Sequence, residues 1–201
     1  MKHWKIVVGA AAIALAVNAS FAGAIKPGAP QGWTLRGPEG DKYEIGIDTS
    51  EGTAERPVLV MASKTQPTEE VLAITQDIDG TEWQGQIIEL SMMAKAVGAK
   101  KNKVWIRHTR AVGFTWTEAK SIPDGEGWQE IRLRSYYPEN PDPHYDNHFD
   151  IGVALGSPGK IWIRDVKLAK IAPPSKEDRL KLPGFRSGLP AYPPRNLNFT
   201  E

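Results

Sequence analysis

The sequence predicts an all-β protein, with two antiparallel sheets packed face to face as a sandwich of the jelly-roll kind. Three observations predict it. Apolar residues recur with period two along most of the chain, and the runs are short and separated by Gly, Pro and Asp turn chemistry. Nothing between Trp33 and Ile171 carries the spacing of an amphipathic helix, Pro67 to Ala73 holding a turn at most. About nine such runs each bury one face, and two packed sheets bury them together.

Taken in chain order, the first 24 residues read as a signal peptide. Lys2 and Lys5 supply the positive start, Ile6 to Val17 the apolar run, and Ala22-Gly23-Ala24 a small-residue cleavage site. The apolar run is too short for a stable membrane-spanning helix. No cysteine follows it to take a lipid. A periplasmic or secreted protein that is not integral to the membrane after cleavage at Ala24 is therefore expected. Losing Lys2 and Lys5 turns the formal charge of +1 into −1. Such a balance argues against nucleic acid as a partner, because phosphates call for a basic surface. With no cysteine in the chain, apolar burial has to hold the domain without disulfides.

The expected domain runs from 25 to 171. Tyr43, Ile45 and Ile47 alternate with Glu44, Gly46 and Asp48, and Ile88, Leu90 and Met92 with Glu89, Ser91 and Met93. Val104 and Ile106 alternate with Trp105 and Arg107, and Ile131 and Leu133 with Arg132 and Arg134. Ile161, Ile163, Val166 and Leu168 close the series, with an offset at Arg164-Asp165 that predicts a bulge. Turns fall at Gly37 to Gly40, Asp79-Gly80, Asp124 to Gly127 and Gly156 to Gly159. From 172 to 195 six prolines and no apolar period predict an extended segment. Alternation returns over 196–201, where Leu197 and Phe199 stand between Asn196, Asn198 and Thr200.

Gly32-Trp33, Tyr43-Glu44-Ile45-Gly46-Ile47-Asp48, Gln76, Trp83-x-Gly85, Val104-Trp105-Ile106-Arg107, Trp128, Ile151-Gly152-Val153 and Gly159-Lys160-Ile161-Trp162-Ile163-x-Asp165-Val166 occur in that order. This series resembles the galactose-binding-like, carbohydrate-binding-module-like jelly-roll domains found beside catalytic domains of some exported peptidases and esterases. Similar domains occur in some transcription regulators. The resemblance covers Gly32 to Ile171 and implies the sandwich fold, whereas sugar binding does not follow from fold alone. Relatives usually open with a strand like Asn-Leu-x-Phe-x-Glu before the Gly-Trp pair. Here Asn196-Leu197-Asn198-Phe199-Thr200-Glu201 has that pattern at the opposite end. Two accounts fit: a rearranged strand carried back to an empty sheet edge, or the start of a lost second domain. His108-Thr109-Arg110 and Trp116-Thr117-Glu118 stand where relatives carry an Asp and an Asp-Asn pair, so the roles of those acids do not transfer.

Among residues that carry chemistry, Trp105 and Arg107 share the strand face opposite Val104 and Ile106. An aromatic plate beside a bidentate donor suits a saccharide, whose C–H faces stack while its hydroxyls need oriented partners. Trp116 and Glu118, on one face of a neighbouring strand, would complete the patch; the alternative is that these tryptophans are packing residues. Gln76, between Ile74 and Ile78, reads as a buried core amide. His144, Asp146, His148 and Asp150 alternate, but the prolines before them mark a solvated loop, and no metal is assigned. Asp48 and Asp165 fit salt bridging or turn capping, with calcium as the other option. Glu89 and Glu118 are the one carboxylate pair a glycosidase reading would use, and no nucleophile elbow or phosphate loop is present. The sequence therefore predicts a non-catalytic binding module without a cofactor. Its expected ligand is a saccharide or similar polar molecule bound at Trp105, Arg107, Trp116 and Glu118; the alternative is a structural sandwich facing an envelope protein partner.

Overall fold

In a computed structural model of the chain, the described residues are 25–37, 43–63, 71–109, 114–137, 148–171, 175 and 196–199. The expected signal segment lies outside them, as does the Pro-rich segment apart from Ser175. The described residues form eleven strands: β1 Ile25–Pro27, β2 Thr34–Arg36, β3 Tyr43–Asp48, β4 Leu59–Ser63, β5 Leu72–Asp79, β6 Gln86–Val97, β7 Asn102–Thr109, β8 Phe114–Lys120, β9 Gly125–Tyr137, β10 His148–Leu155 and β11 Gly159–Ile171. The helical content of the described residues is a single 3-10 turn, Thr81–Trp83. It follows Asp79, whose Oδ1 accepts hydrogen bonds from the Thr81 amide (2.8 Å) and hydroxyl (2.6 Å). β1 and β2 exceed the expected count because three residues are too few to show alternation.

The strands form a six-stranded sheet in the order β1-β3-β4-β11-β6-β9 and a five-stranded sheet in the order β2-β5-β10-β7-β8, with every strand pair antiparallel. Period two dictates what lies between them. Leu59 and Met61 of β4, Ile88, Leu90 and Met92 of β6, and Ile161 and Ile163 of β11 meet Ile74 and Ile78 of β5, Val104 and Ile106 of β7 and Ile151 and Val153 of β10. Burying each such side chain stabilises by about 1.5–3 kcal/mol, which offsets the cost of ordering the chain. Gln76 is buried on the same face as Ile74 and Ile78, as its place in the alternation predicts.

The expected bulge in β11 is present. Its pairing with β6 shifts between Arg164 and Lys167, and Asp165 has a positive φ of 54°. The slip keeps Val166 on the core face that Ile161 and Ile163 began. Asp165 is held there by the Arg56 guanidinium, with Arg164 at 3.7 Å. Asp48 caps a turn: its Oδ1 accepts from the Ser50 amide (2.9 Å) and hydroxyl (2.6 Å), and its Oδ2 from Trp162 Nε1 (2.9 Å). Both acids thus perform the capping and salt-bridging roles read from the sequence.

The chain end departs from the alternation. Residues 196–199 form a turn rather than a strand, with positive φ at Asn196 (45°) and Phe199 (60°). The edge of β3 is bordered instead by β1, whose Ile25, Lys26 and Pro27 pair with Asp48, Ile47 and Gly46. The turn nonetheless docks on the sandwich. Phe199 is buried with its ring 5.5 Å from that of Trp33, and Trp33 Nε1 donates to the Asn196 carbonyl (3.1 Å). Asn196 Nδ2 in turn donates to the Gln31 carbonyl (3.3 Å). A buried aromatic anchor and two hydrogen bonds hold a segment that no β-ladder supports.

Candidate ligand-binding groove

The outer face of the five-stranded sheet carries a groove of about 590 Å³. Strand register explains its shape, because residues paired across a ladder share a face. One row runs Lys103, Ala154, Ala73 and Arg36 across β7, β10, β5 and β2. The next row is Trp105, Gly152, Thr75 and Thr34, and a third is Arg107, Asp150 and Asp77. The two central strands contribute small side chains, whereas β7 contributes long ones in all three rows and β2 contributes Arg36. That difference in side-chain length makes the sheet face concave between Arg36 on one side and Lys103 and Arg107 on the other.

Trp105 lies flat against β10. A Cβ placed on Gly152 would come 2.2 Å from its Cζ2, so the missing side chain is what admits the indole. Trp105 Nε1 donates to Asp150 Oδ1 (2.6 Å), and Arg107 Nε donates to Asp150 Oδ2 (2.6 Å). The Arg107 guanidinium also stands 5.9 Å from the Trp105 ring centre. Asp150 is fully buried, and its charge-assisted bonds orient both neighbours. Burial pushes its carboxyl above the usual carboxylate range, with Arg107 and the hydrogen bond from Trp105 pulling it back.

Of the four site residues expected from sequence, the structure unites two. Trp105 and Arg107 line the groove, but Trp105 keeps only 3% of its surface exposed. It is therefore a rigid floor and not an open stacking plate. Trp116 stands opposite Arg107 in the β7–β8 ladder, and its side chain lies outside the described residues. Glu118 does not join them. Pairing slips by one residue at Thr117, so Glu118 stands opposite Ile106, a core-facing position, and the expectation that it shares a face with Trp116 is corrected by a bulge.

The row of possible metal ligands is also revised. His144 and Asp146 lie outside the described residues, whereas His148 and Asp150 are buried strand residues and not parts of a solvated loop. Asp150 spends both oxygens on Trp105 and Arg107. No cluster of metal-ligating side chains occurs among the described residues. The carboxylates considered for glycoside hydrolysis sit on different sheets. Glu89 is taken up on the outer face of the six-stranded sheet by Arg134 (2.6 Å) and Arg132 (2.9 Å). The Arg134 hydrogen bond and the charges of both arginines hold it below the usual range for a glutamate.

Sequence reasoning missed two features. Asp150 is the clamp, and its signal was an acid two residues before a strand glycine, legible only once β7 is known to lie beside β10. The second is the basic rim of Lys100, Lys101 and Lys103 with Arg36, visible in sequence as a local Lys-Lys-Asn-Lys run.

A two-sheet antiparallel jelly-roll sandwich with a groove on one outer face is the class this chain represents. Among solved structures, it is similar to the enzymatically active domain of tailspike protein 4 of bacteriophage CBA120 (TM-score 0.52, 21% identity), over 70% of this chain and 20% of that one. That likeness concerns the fold, and this chain spans one fifth of the length of that solved domain. Other similar structures are the CBM22-1 xylan-binding domain of Paenibacillus barcinonensis Xyn10C (TM-score 0.46, 12% identity, 70% and 86% covered) and a family 11 carbohydrate-binding module from Clostridium thermocellum (0.46, 18%, 70% and 89%). No protein-family model matches the sequence, and no curated protein does. No helix among the described residues is long and apolar enough to cross a membrane.

Proposed function

We propose that this protein is an exported, non-catalytic binding module that takes a saccharide in the groove of its five-stranded sheet. One observation carries the reading: small residues on β5 and β10 lie between long donors on β2 and β7, and a buried Asp150 fixes the donor Arg107 in place. Ligand sites are typically concave, largely apolar and equipped with a few fixed polar groups, and a volume of about 590 Å³ lies within their usual range. Preorganisation matters energetically, since each long side chain ordered on binding costs about 0.5–1.5 kcal/mol. Arg107, already held by Asp150, avoids much of that cost. Export rests on the charged, apolar and small-residue pattern of the first 24 residues.

The test is a glycan-array screen of the chain from Ile25 to Glu201, with Ala73→Trp as the blocked control. Ala73 lies in the groove and takes no part in the hydrogen bonds of the Asp150 clamp, so the variant is designed to fill the site and leave the clamp in place. Glycan binding that disappears in Ala73→Trp is the expected result. Absence of binding by protein with an intact circular dichroism spectrum, or binding that survives the block, would refute the proposal.

A further inference from the structure

We propose that the groove selects an anionic saccharide, one whose sugars bear carboxylates or sulfate esters. This rests on the saccharide reading above and names the ligand class for the same site. Among the described residues, every ionisable side chain lining the groove is a cation: Arg36, Lys100, Lys101, Lys103 and Arg107. Two adjoining carboxylates offset part of this charge. Asp77 lies 3.4 Å from Arg36, and the buried Asp150 is bound to Arg107. Lys100 and Lys101 form no ion pair among the described residues, so the described residues of the rim carry surplus positive charge. The chain as a whole is not basic. Its formal charge is +1, two of its lysines precede the expected cleavage site, and the surplus on this rim is therefore local.

The lysine pair is also held in position. The Lys101 amide donates to Ser157 Oγ (3.0 Å), its carbonyl accepts from the Gly156 amide (2.7 Å), and the Lys100 amide donates to the Gly98 carbonyl (3.1 Å). Asn102, next in sequence, is buried and joins the loop to Ile122 through Nδ2 (3.0 Å) and Oδ1 (2.6 Å). A loop tied at four points presents its two ammonium groups at the groove mouth at low cost in backbone entropy. The near-complete burial of Trp105 points the same way. Stacking of a sugar face needs an open aromatic plate, which Trp105 does not offer, whereas an anionic sugar gains from cations at the rim. Arg36 and Lys103 lie three strand spacings apart, about 14 Å, so an extended chain crossing the groove meets cations at both sides.

The experiment measures binding by calorimetry to polygalacturonate, its methyl-esterified form, dextran sulfate, neutral dextran and single-stranded DNA, at low and moderate salt. Lys100→Gln/Lys101→Gln serves as the test variant, both side chains being exposed. Polygalacturonate or dextran sulfate is expected to bind more tightly than its neutral counterpart. The double variant should lose about five- to tenfold in affinity for that polymer, as two exposed charge contacts predict. Added salt should weaken the wild type more than the variant. The two acidic polymers tell carboxylate from sulfate. Equal affinity for charged and neutral forms, or an unchanged double variant, overturns the charge inference and leaves the saccharide reading standing. DNA bound as tightly as the acidic glycans overturns it in favour of a general polyanion site. No binding to any polymer overturns both.

Discussion

Acid is expected to destabilise the folded state through His108, because the ring is buried where a second proton has no acceptor among the described residues. It stands on the core face of β7, fully buried, with its ring 4.9 Å from that of Tyr137 in an edge-on arrangement. Its Nε2 lies 3.5 Å from Ser135 Oγ, and its Nδ1 has no hydrogen-bond partner among the described residues. Nothing there receives the second proton, and desolvation lowers the imidazole pKa from 6.5 to about 3. Above 6.5 the ring is neutral in both states and does not affect stability. Between 6.5 and 3 the unfolded chain binds a proton that the folded chain refuses, so stability falls by about 1.4 kcal/mol per pH unit. From pH 7 to pH 5 the loss amounts to about 2 kcal/mol, or roughly 4–8 °C in Tm for a domain of this size. Urea unfolding at both pH values measures it. His108→Phe, which fills the same apolar space without titrating, separates this loss from that caused by carboxylates. The variant should show a pH-dependent loss smaller than the wild type's by about 2 kcal/mol. Identical losses in a folded His108→Phe would refute the argument and mean that the imidazole is protonated, or solvated, inside the sandwich.

Asp150→Asn keeps the shape of the clamp but removes its charge and one of its acceptor oxygens. It should cost about 1–3 kcal/mol, because the Asn amide group would face either Trp105 Nε1 or Arg107 Nε and leave that buried donor without its acceptor. Chemical denaturation reads the cost, and the same variant should lose glycan binding as Arg107 comes loose. Phe199→Ala removes the anchor of the C-terminal turn and should lower stability by about 2–4 kcal/mol, seen as a drop in Tm. An unchanged Tm would show that the turn adds nothing to the sandwich.

The fold was legible in the sequence because burial in a sandwich follows side-chain period. Ile88, Leu90 and Met92, or Ile161 and Ile163, announce their inward face without reference to any neighbour, and the misfit at Arg164-Asp165 announces the bulge that restores it. The site was legible in part, since alternation alone puts Trp105 and Arg107 on the face away from the core.

What the sequence by itself determined is therefore the set of short strands, their inward and outward faces, and the presence of Trp105 and Arg107 on an outer one. Tertiary structure alone decided which strands lie side by side. Register set Gly152 under Trp105 and Asp150 between Trp105 and Arg107, turning an acid that reads as part of a possible metal row into a clamp. A one-residue slip at Thr117 set Glu118 opposite Ile106 rather than with Trp116. Residues 196–199, whose alternation read either as a strand returned to a sheet edge or as the start of a lost second domain, form a turn with Phe199 packed on Trp33. Local patterns encode the direction a side chain takes from its own backbone, whereas ladder register, bulges and docked ends depend on partners far away in the sequence.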